Sequence, residues 1–338
     1  MGNLVGVRIS GVTAHLPPDT LTSEQVEALV GARSPGYTPK PGALRKVTGI
    51  DRRHRARDDE NPSDLAAAAS VKLLSEQGLA AGDVDLLVFA AASHDILEPA
   101  TAHVVAAKLG ASCPVFDVKN ACNSFLNGIQ MAEALIGTGQ ASRALICCGE
   151  MGSRTIRWQV ADRDEYADAL PGYTVSDAGA AMLLERSDRP GISYRRFHAD
   201  SSYWDVATVP GTGAAHQRDP QRDGYIQGSG YRLKQIMLDS TVRRLDGALS
   251  EAGLAREDFA VFCMHQATEP YQRAFAEAMA IPEDKFVVTI AEHGNVASAT
   301  LPLQLSIALQ AGRCGPGDRV ALIGLAGGIS VGIMFVEL

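Results

Sequence analysis

Residues 115–137, VFDVKNACNSFLNGIQMAEALIG, are answered in the second half of the chain by residues 287–312, VVTIAEHGNVASATLPLQLSIALQAG. In both, a run of strand-forming residues leads through an asparagine, Asn120 or Asn295, into a long apolar segment that closes on Gly137 or Gly312. The match extends both ways. Upstream, LLVFAAASHDILEP (86–99) parallels FAVFCMHQATEP (259–270), with His94 answering His265. Downstream, RALICCGE (143–150) parallels RVALIGLAGG (319–328). Three matches in one order at a nearly constant separation indicate two copies of one unit. Each copy reads strand, helix, strand, buried helix, strand.

The strand runs, FVVTI and CPVFDV among them, are continuously apolar rather than alternating, as in sheets covered on both faces. The segment after Cys122 carries Phe125, Leu126, Ile129, Met131, Leu135 and Ile136, and its counterpart is as apolar. Helices apolar on most sides belong inside a protein. The expected fold is therefore layered α/β, with two sheets enclosing a central helix pair. The halves meet near ERSDRPG (185–191), which divides the chain into 1–187 and 188–338. Stretches 152–176 and 200–232 fit the repeat poorly and read as insertions around a site. SDAGAAMLLE (176–185) offers small residues for packing against a helix.

The chain has 338 residues, 46% of them apolar and 21% charged, with a formal net charge of -8. An acidic balance argues against nucleic acid as a partner. No apolar run reaches membrane-spanning length, and MGNLVGVRISG lacks the pattern of a secretory leader, so a cytoplasmic protein is expected. The six cysteines show no zinc spacing, and neither a metal nor a permanently bound cofactor is expected. One basic stretch, RKVTGIDRRHRAR (45–57), contains Arg45, Lys46, Arg52 and Arg53; it is a solvated edge or a docking surface for something anionic.

The chemistry lies where the copies differ. The first has Cys122 at the start of its buried helix, where the second is read as having Ala297. Unpaired N–H groups and the helix dipole there favour a thiolate. Cys113, Cys147, Cys148 and Cys263 sit in or beside strand runs and read as inert, and Cys314 as a turn residue. The second copy supplies His265 at a strand's C-terminal end, where ligand sites gather. It also supplies Asn295 ahead of its helix, a polar donor or simply a cap. The glycine-rich GLAGGISVG (324–332) is a tight turn whose N–H groups are also suited to an oxyanion.

Taken together, GVTAHLPPDTLTSEQV, KVTGIDRRHRA, FDVKNACNSF, SDAGAAM, HQA, HGN and GLAGGISVG resemble the β-ketoacyl synthase III family of thiolase-fold condensing enzymes over nearly the whole chain. The resemblance implies a duplicated α-β-α-β-α fold and a homodimer joined through the strand after CP. It makes Cys122 the nucleophile that takes an acyl group from acyl-CoA or an acyl carrier protein. His265 and Asn295 would contact the carbonyl of a malonyl thioester during decarboxylative condensation, and the N–H groups of Cys122 and Gly327 would form the oxyanion hole. Coenzyme A or phosphopantetheine thioesters are then substrates, with Arg45, Lys46, Arg52 and Arg53 as candidate carrier-docking residues.

Three departures stand out. The tryptophan that normally precedes TGI is missing, with Ala43 near its place. HQA continues as Thr268, Glu269 and Pro270 instead of asparagine and a basic residue. Leu97 and Glu98 fall where relatives extend an apolar side chain into the partner subunit's acyl pocket, and Glu98 suggests an unusual acyl substrate. These changes point to specialised metabolism. Two alternatives to condensation are transfer of the acyl group from Cys122 to a hydroxyl or amine, and a non-catalytic subunit of a synthase complex; retention of Cys122, His265 and Asn295 speaks against the last.

Overall fold

A computed structural model describes residues 6–189, 191–211, 219 and 223–338. Two mixed sheets carry the fold. The first comprises β1 (Gly6–His15), β2 (Leu86–Ala90), β3 (Val115–Val118), β4 (Arg143–Met151) and β5 (Asp177–Ser187), in the order β1-β5-β4-β2-β3. The second comprises β6 (Ile192–Ala199), β7 (Val261–Met264), β8 (Arg319–Ala326) and β9 (Ser330–Glu337), in the order β7-β8-β9-β6. Strand directions repeat: β2 and β4 are parallel, as are β7 and β8, while β4–β5–β1 and β8–β9–β6 are antiparallel.

Helices α1 (Pro62–Glu76) and α2 (Thr101–Leu109) cover the first sheet. α3 (Ser124–Gly137) packs on β2, β4 and β5, and its Leu126 also reaches Gly332 of β9. α4 (Gly230–Ala252) and α5 (Glu269–Ala278) lie on the second sheet's outer side. α6 (Thr300–Gln310) touches β1 and β5 on one side and β7 and β8 on the other. The result is the duplicated, five-layer α-β-α-β-α thiolase-like arrangement. The small residues of SDAGAAM do pack against a helix: a Cβ on Gly179 would lie 2.0 Å from the Leu65 carbonyl oxygen of α1. Of the two stretches that fit the repeat poorly, 200–232 lies partly outside the described residues, as does Pro190 between the halves.

The sheets correct three sequence expectations. FVVTI is not a strand: only Phe286 bridges Phe262, and the chain then turns into a short helix, Ile290–His293. The Gln266 side chain takes over the ladder's work. It donates to the Val287 carbonyl at 2.7 Å and accepts the N–H groups of Thr289 and Ile290, each at 3.0 Å. Next, β2/β4 pairing ends at Phe89–Cys147 and β7/β8 pairing at Met264–Ile323, so His265 stands in the place of Ala90, not of His94. Finally, Ala121 (φ 46°) and Ala297 (φ 47°) are equivalent left-handed residues, each three residues ahead of a buried helix start. The counterpart of Cys122 is therefore Ser298.

Candidate active site

Cys122 follows the left-handed Ala121 and precedes α3, whose N-cap is Asn123. A non-glycine residue in that region is strained and persists only when its surroundings over-determine it. Here they do. Asn120 and Asn123, flanking the turn, both donate to Ser330 Oγ, at 3.1 and 3.0 Å. Asn120 N–H donates to Ser124 Oγ at 2.7 Å. Across the layer Gly324 is obligatory, since a Cβ there would lie 1.9 Å from Asn123 Oδ1. Ser330 opens β9 directly after the turn containing Gly327, so the same hydrogen bonds tie the glycine turn to the cysteine loop.

Asn295 is 9% exposed and held by backbone bonds on both sides, donating to the Thr174 carbonyl and accepting from Ser176 N–H, each at 2.9 Å. Its Oδ1 accepts the Ala297 N–H at 3.0 Å. That bond fixes the amide orientation and leaves Nδ2 as a donor with no partner among the described residues. His265, 6% exposed, hydrogen-bonds the backbone of the same Ala297, and its Nδ1 lies 3.4 Å from Thr300 Oγ1. One strained alanine thus sets both side chains. Behind them, His54 Nε2 meets His293 Nδ1 at 3.0 Å while His54 Nδ1 meets the Pro17 carbonyl at 2.8 Å, bracing the turn that precedes Asn295.

Electrostatics here run against the expected thiolate. Burial, with a further contribution from Glu150, pushes the Cys122 thiol up to about 12. Desolvation outweighs the helix dipole, which acts over only the first turn. Burial also lowers His265 to about 4, against the opposing Ala297 hydrogen bond. The resting site therefore holds a neutral thiol and a neutral imidazole. Alkylation of Cys122 by iodoacetamide should climb about tenfold per pH unit from about pH 7 to 10. A plateau below pH 8 would show a thiolate stabilised at rest.

The other candidate residues fall in different places. Leu97 is 76% exposed and sits with Glu98 and the half-exposed Ile96 on the loop between β2 and α2. Arg45 and Arg52 are exposed and paired with Asp51 and Glu292, and Lys46 is exposed nearby. Arg53 is not available for docking: it is 3% exposed and donates to the Tyr173 carbonyl and to Ser23 Oγ. The sequence needed a cation inside a polar crevice, and nothing local distinguishes that from a surface arginine. Thr268 caps α5 by accepting from Tyr271 N–H at 3.2 Å, and Glu269 pairs with Arg273. Glu150, Tyr271 and Ser330 were missed. Tyr271 and Glu150 both interact electrostatically with Cys122. The one available signal was Glu150, a charge near the end of a strand whose residues 144–149 carry none. Among the described residues no helix is long and apolar enough to cross a membrane, and no cluster of His, Cys, Asp and Glu forms a metal site.

Comparison with known proteins gives a consistent set. Residues 116–202 match the family 3-oxoacyl-[acyl-carrier-protein (ACP)] synthase III, and residues 249–338 match its C-terminal family. The chain is 30% identical over 332 residues to a β-ketoacyl-[acyl-carrier-protein] synthase III of Neisseria gonorrhoeae, covering 98% of each. Among solved structures it is similar to Xanthomonas campestris OleA, in a cysteine-to-serine variant with bound lauric acid and lauroyl-CoA, at 27% identity and TM-score 0.88; the match covers 99% of this chain and 100% of that one. It is also similar to the 3-oxoacyl-(acyl carrier protein) synthase III of Pseudomonas aeruginosa, at 25% identity and TM-score 0.84, with 98% of each chain covered.

Proposed function

Because this chain belongs to the 3-oxoacyl-[acyl-carrier-protein] synthase III family, we propose that it is a thioester-condensing enzyme working by two half-reactions at Cys122. In the first, the Cys122 sulfur attacks the carbonyl of an acyl thioester and the N–H groups of Cys122 and Gly327 hold the oxyanion. The donor's thiolate leaves and takes up the proton lost by Cys122. The exchange is nearly isoenergetic and so reversible. In the second, a malonyl thioester loses carbon dioxide, and the resulting enolate oxygen lies between His265 and the Asn295 amide. The carbanion attacks the acyl carbon and expels the Cys122 thiolate, which takes a proton from solvent to return the thiol. The observation that carries this reading is the locked Asn295 amide, whose oxygen is taken by Ala297 N–H and whose nitrogen has no partner among the described residues. Donors without negative charge stabilise an enolate, where a carboxylate would repel it.

The acyl donor is proposed to be a fatty acyl thioester of coenzyme A, since the similar OleA structure holds lauroyl-CoA. That donor also favours a second reading of the acceptor. OleA structures carry substitutions at a glutamate, a cysteine and a histidine whose spacing agrees within two residues with Glu98, Cys122 and His265. A second fatty acyl thioester has no carboxylate to lose, so a base must remove its α-proton, and Glu98 from a partner subunit would supply one. Incubation with lauroyl-CoA should add the lauroyl mass to a peptide containing Cys122, and prior iodoacetamide should block it. Label that persists in Cys122→Ala would overturn the assignment. Carbon dioxide released from malonyl-CoA supports the first acceptor, and a carbon–carbon product from lauroyl-CoA alone supports the second.

Either reading is proposed to operate as a homodimer. β3 is a sheet edge with Phe116 only half-buried, and Ile96 and Leu97 project nearby at 48% and 76% exposure. Light scattering should give roughly 71 kDa, twice the 35.7 kDa chain, with an interface of about 2,000 Å² or more. A stable monomer at micromolar concentration would refute this.

A further inference from the structure

Glu150, near the end of β4, is 1% exposed and lies between the two halves. From the first half it accepts Ala92 N–H at 2.8 Å, Ser93 N–H at 3.1 Å and Ser93 Oγ–H at 2.9 Å. From the second half it accepts Ser298 N–H at 3.3 Å and the Ser298 hydroxyl. The three backbone N–H groups can only donate, and Ser93 Oγ itself accepts Met151 N–H at 3.0 Å, which commits its proton to Glu150; the Ser298 hydroxyl also lies 3.2 Å from the Ala90 carbonyl oxygen. Burial pushes the Glu150 carboxyl up, and these hydrogen bonds oppose that shift without help from a cation. A buried charge is costly unless fully hydrogen-bonded.

What Glu150 joins gives it a place in the reaction. Ala92 and Ser93 begin the loop that carries Leu97 and Glu98 to the surface. Ser298 follows Ala297, the strained residue that sets both Asn295 and His265. We propose that Glu150 is a positioning residue, which locks the loop bearing Leu97 and Glu98 in one half to the enolate-binding pair of the other. It also places a negative charge near the Cys122 thiol; the other titratable groups around the two are Cys148 and Tyr271. The inference rests on the two half-reactions proposed above, but part of its test does not.

Glu150→Gln keeps the shape but turns one oxygen into a donor, facing either Ser93 or the Ala92–Ser298 pair. Two donors then oppose each other, and either the Ser93 bonds or the shared Ala92–Ser298 bonds are lost, which loosens the tie between the halves. Condensation should fall at least about tenfold, while self-acylation of Cys122 stays within about threefold, because its oxyanion is held by backbone N–H groups. Cys122 alkylation at fixed pH should become several-fold faster, since a negative charge beside the thiol is gone. Ser298→Ala removes only the hydroxyl arm and should show the same split to a smaller degree; it decides the matter if Glu150→Gln does not fold. Equal loss in both half-reactions alongside lowered thermal stability, no loss in either, or alkylation that slows or stays the same would each overturn the proposal. Alkylation needs no substrate, so a wild type that never self-acylates counts against the reaction, not against Glu150.

Discussion

Asn295→Asp should cut decarboxylation of a malonyl thioester by on the order of a hundredfold or more, the scale of losing one oxyanion donor. The geometry gives the reason. One carboxylate oxygen would inherit the bond from Ala297 N–H, and the other would replace the amide nitrogen that now has no partner among the described residues. A donor is lost and a like charge appears beside the developing enolate. In a water-poor site such repulsion is worth several kcal/mol, roughly. Self-acylation of Cys122 should change much less, because it does not use Asn295. The same substitution favours the competing chemistry. A carboxylate near His265 would support its imidazolium and make it a better base for a hydroxyl or amine acceptor. Should Asn295→Asp retain acceptor-dependent turnover, and the wild type release no carbon dioxide from malonyl thioesters and join no acyl chains, the condensation reading fails and acyl transfer replaces it.

Gly149→Ala should be the most damaging single methyl group in the first half. A Cβ at Gly149 would lie 1.7 Å from the Pro62 carbonyl oxygen and 2.5 Å from its carbonyl carbon. Both are backbone atoms at the start of α1, so no side-chain rotation relieves the clash. The helix would have to move off β4, and α1 buries Leu65, Ala66, Ala69 and Leu73 in the core it shares with that sheet. Overpacking a well-filled core typically costs about 1–3 kcal/mol and occasionally more; a backbone clash belongs at the upper end. At about 2–4 °C per kcal/mol, melting should fall by roughly 6 °C or more, or the protein should fail to fold. Gly82→Ala, with no atom within 4 Å of the added Cβ, is the control and should melt within about 1 °C of wild type. A Gly149→Ala protein as stable as the control would show that α1 can shift freely.

Much of the fold was legible because its signals are local. Continuous apolar strands and helices without a polar face reveal burial on both sides within a dozen residues, and two copies of one pattern reveal a duplication. Cys122, His265 and Asn295 stood out for the same reason, as polar residues placed where one copy differs from the other. Register was not legible. Pairing His94 with His265 satisfied the letters, but the ladder ends at Met264–Ile323, and His265, whose N–H donates to the Ile323 carbonyl, stands in the place of Ala90. A strand's hydrophobicity does not say where its hydrogen bonds stop, and the longer loop of the first half absorbed the shift. FVVTI likewise has the composition of a strand, yet the Gln266 side chain satisfies the groups a ladder would have paired. Protonation lay further still from the sequence. A cysteine at a helix start suggests a thiolate, but desolvation and the Glu150 carboxylate, brought from a strand distant in sequence, raise the thiol instead. Arg53 reads as one of a basic surface run, and only the packing of Tyr173 and Ser23 around it shows it buried. By itself the sequence determined which apolar segments are buried and which chemical groups are at hand. The tertiary structure alone decided which of those groups meet and what charge they carry, because both depend on neighbours far along the chain and on the water their meeting excludes.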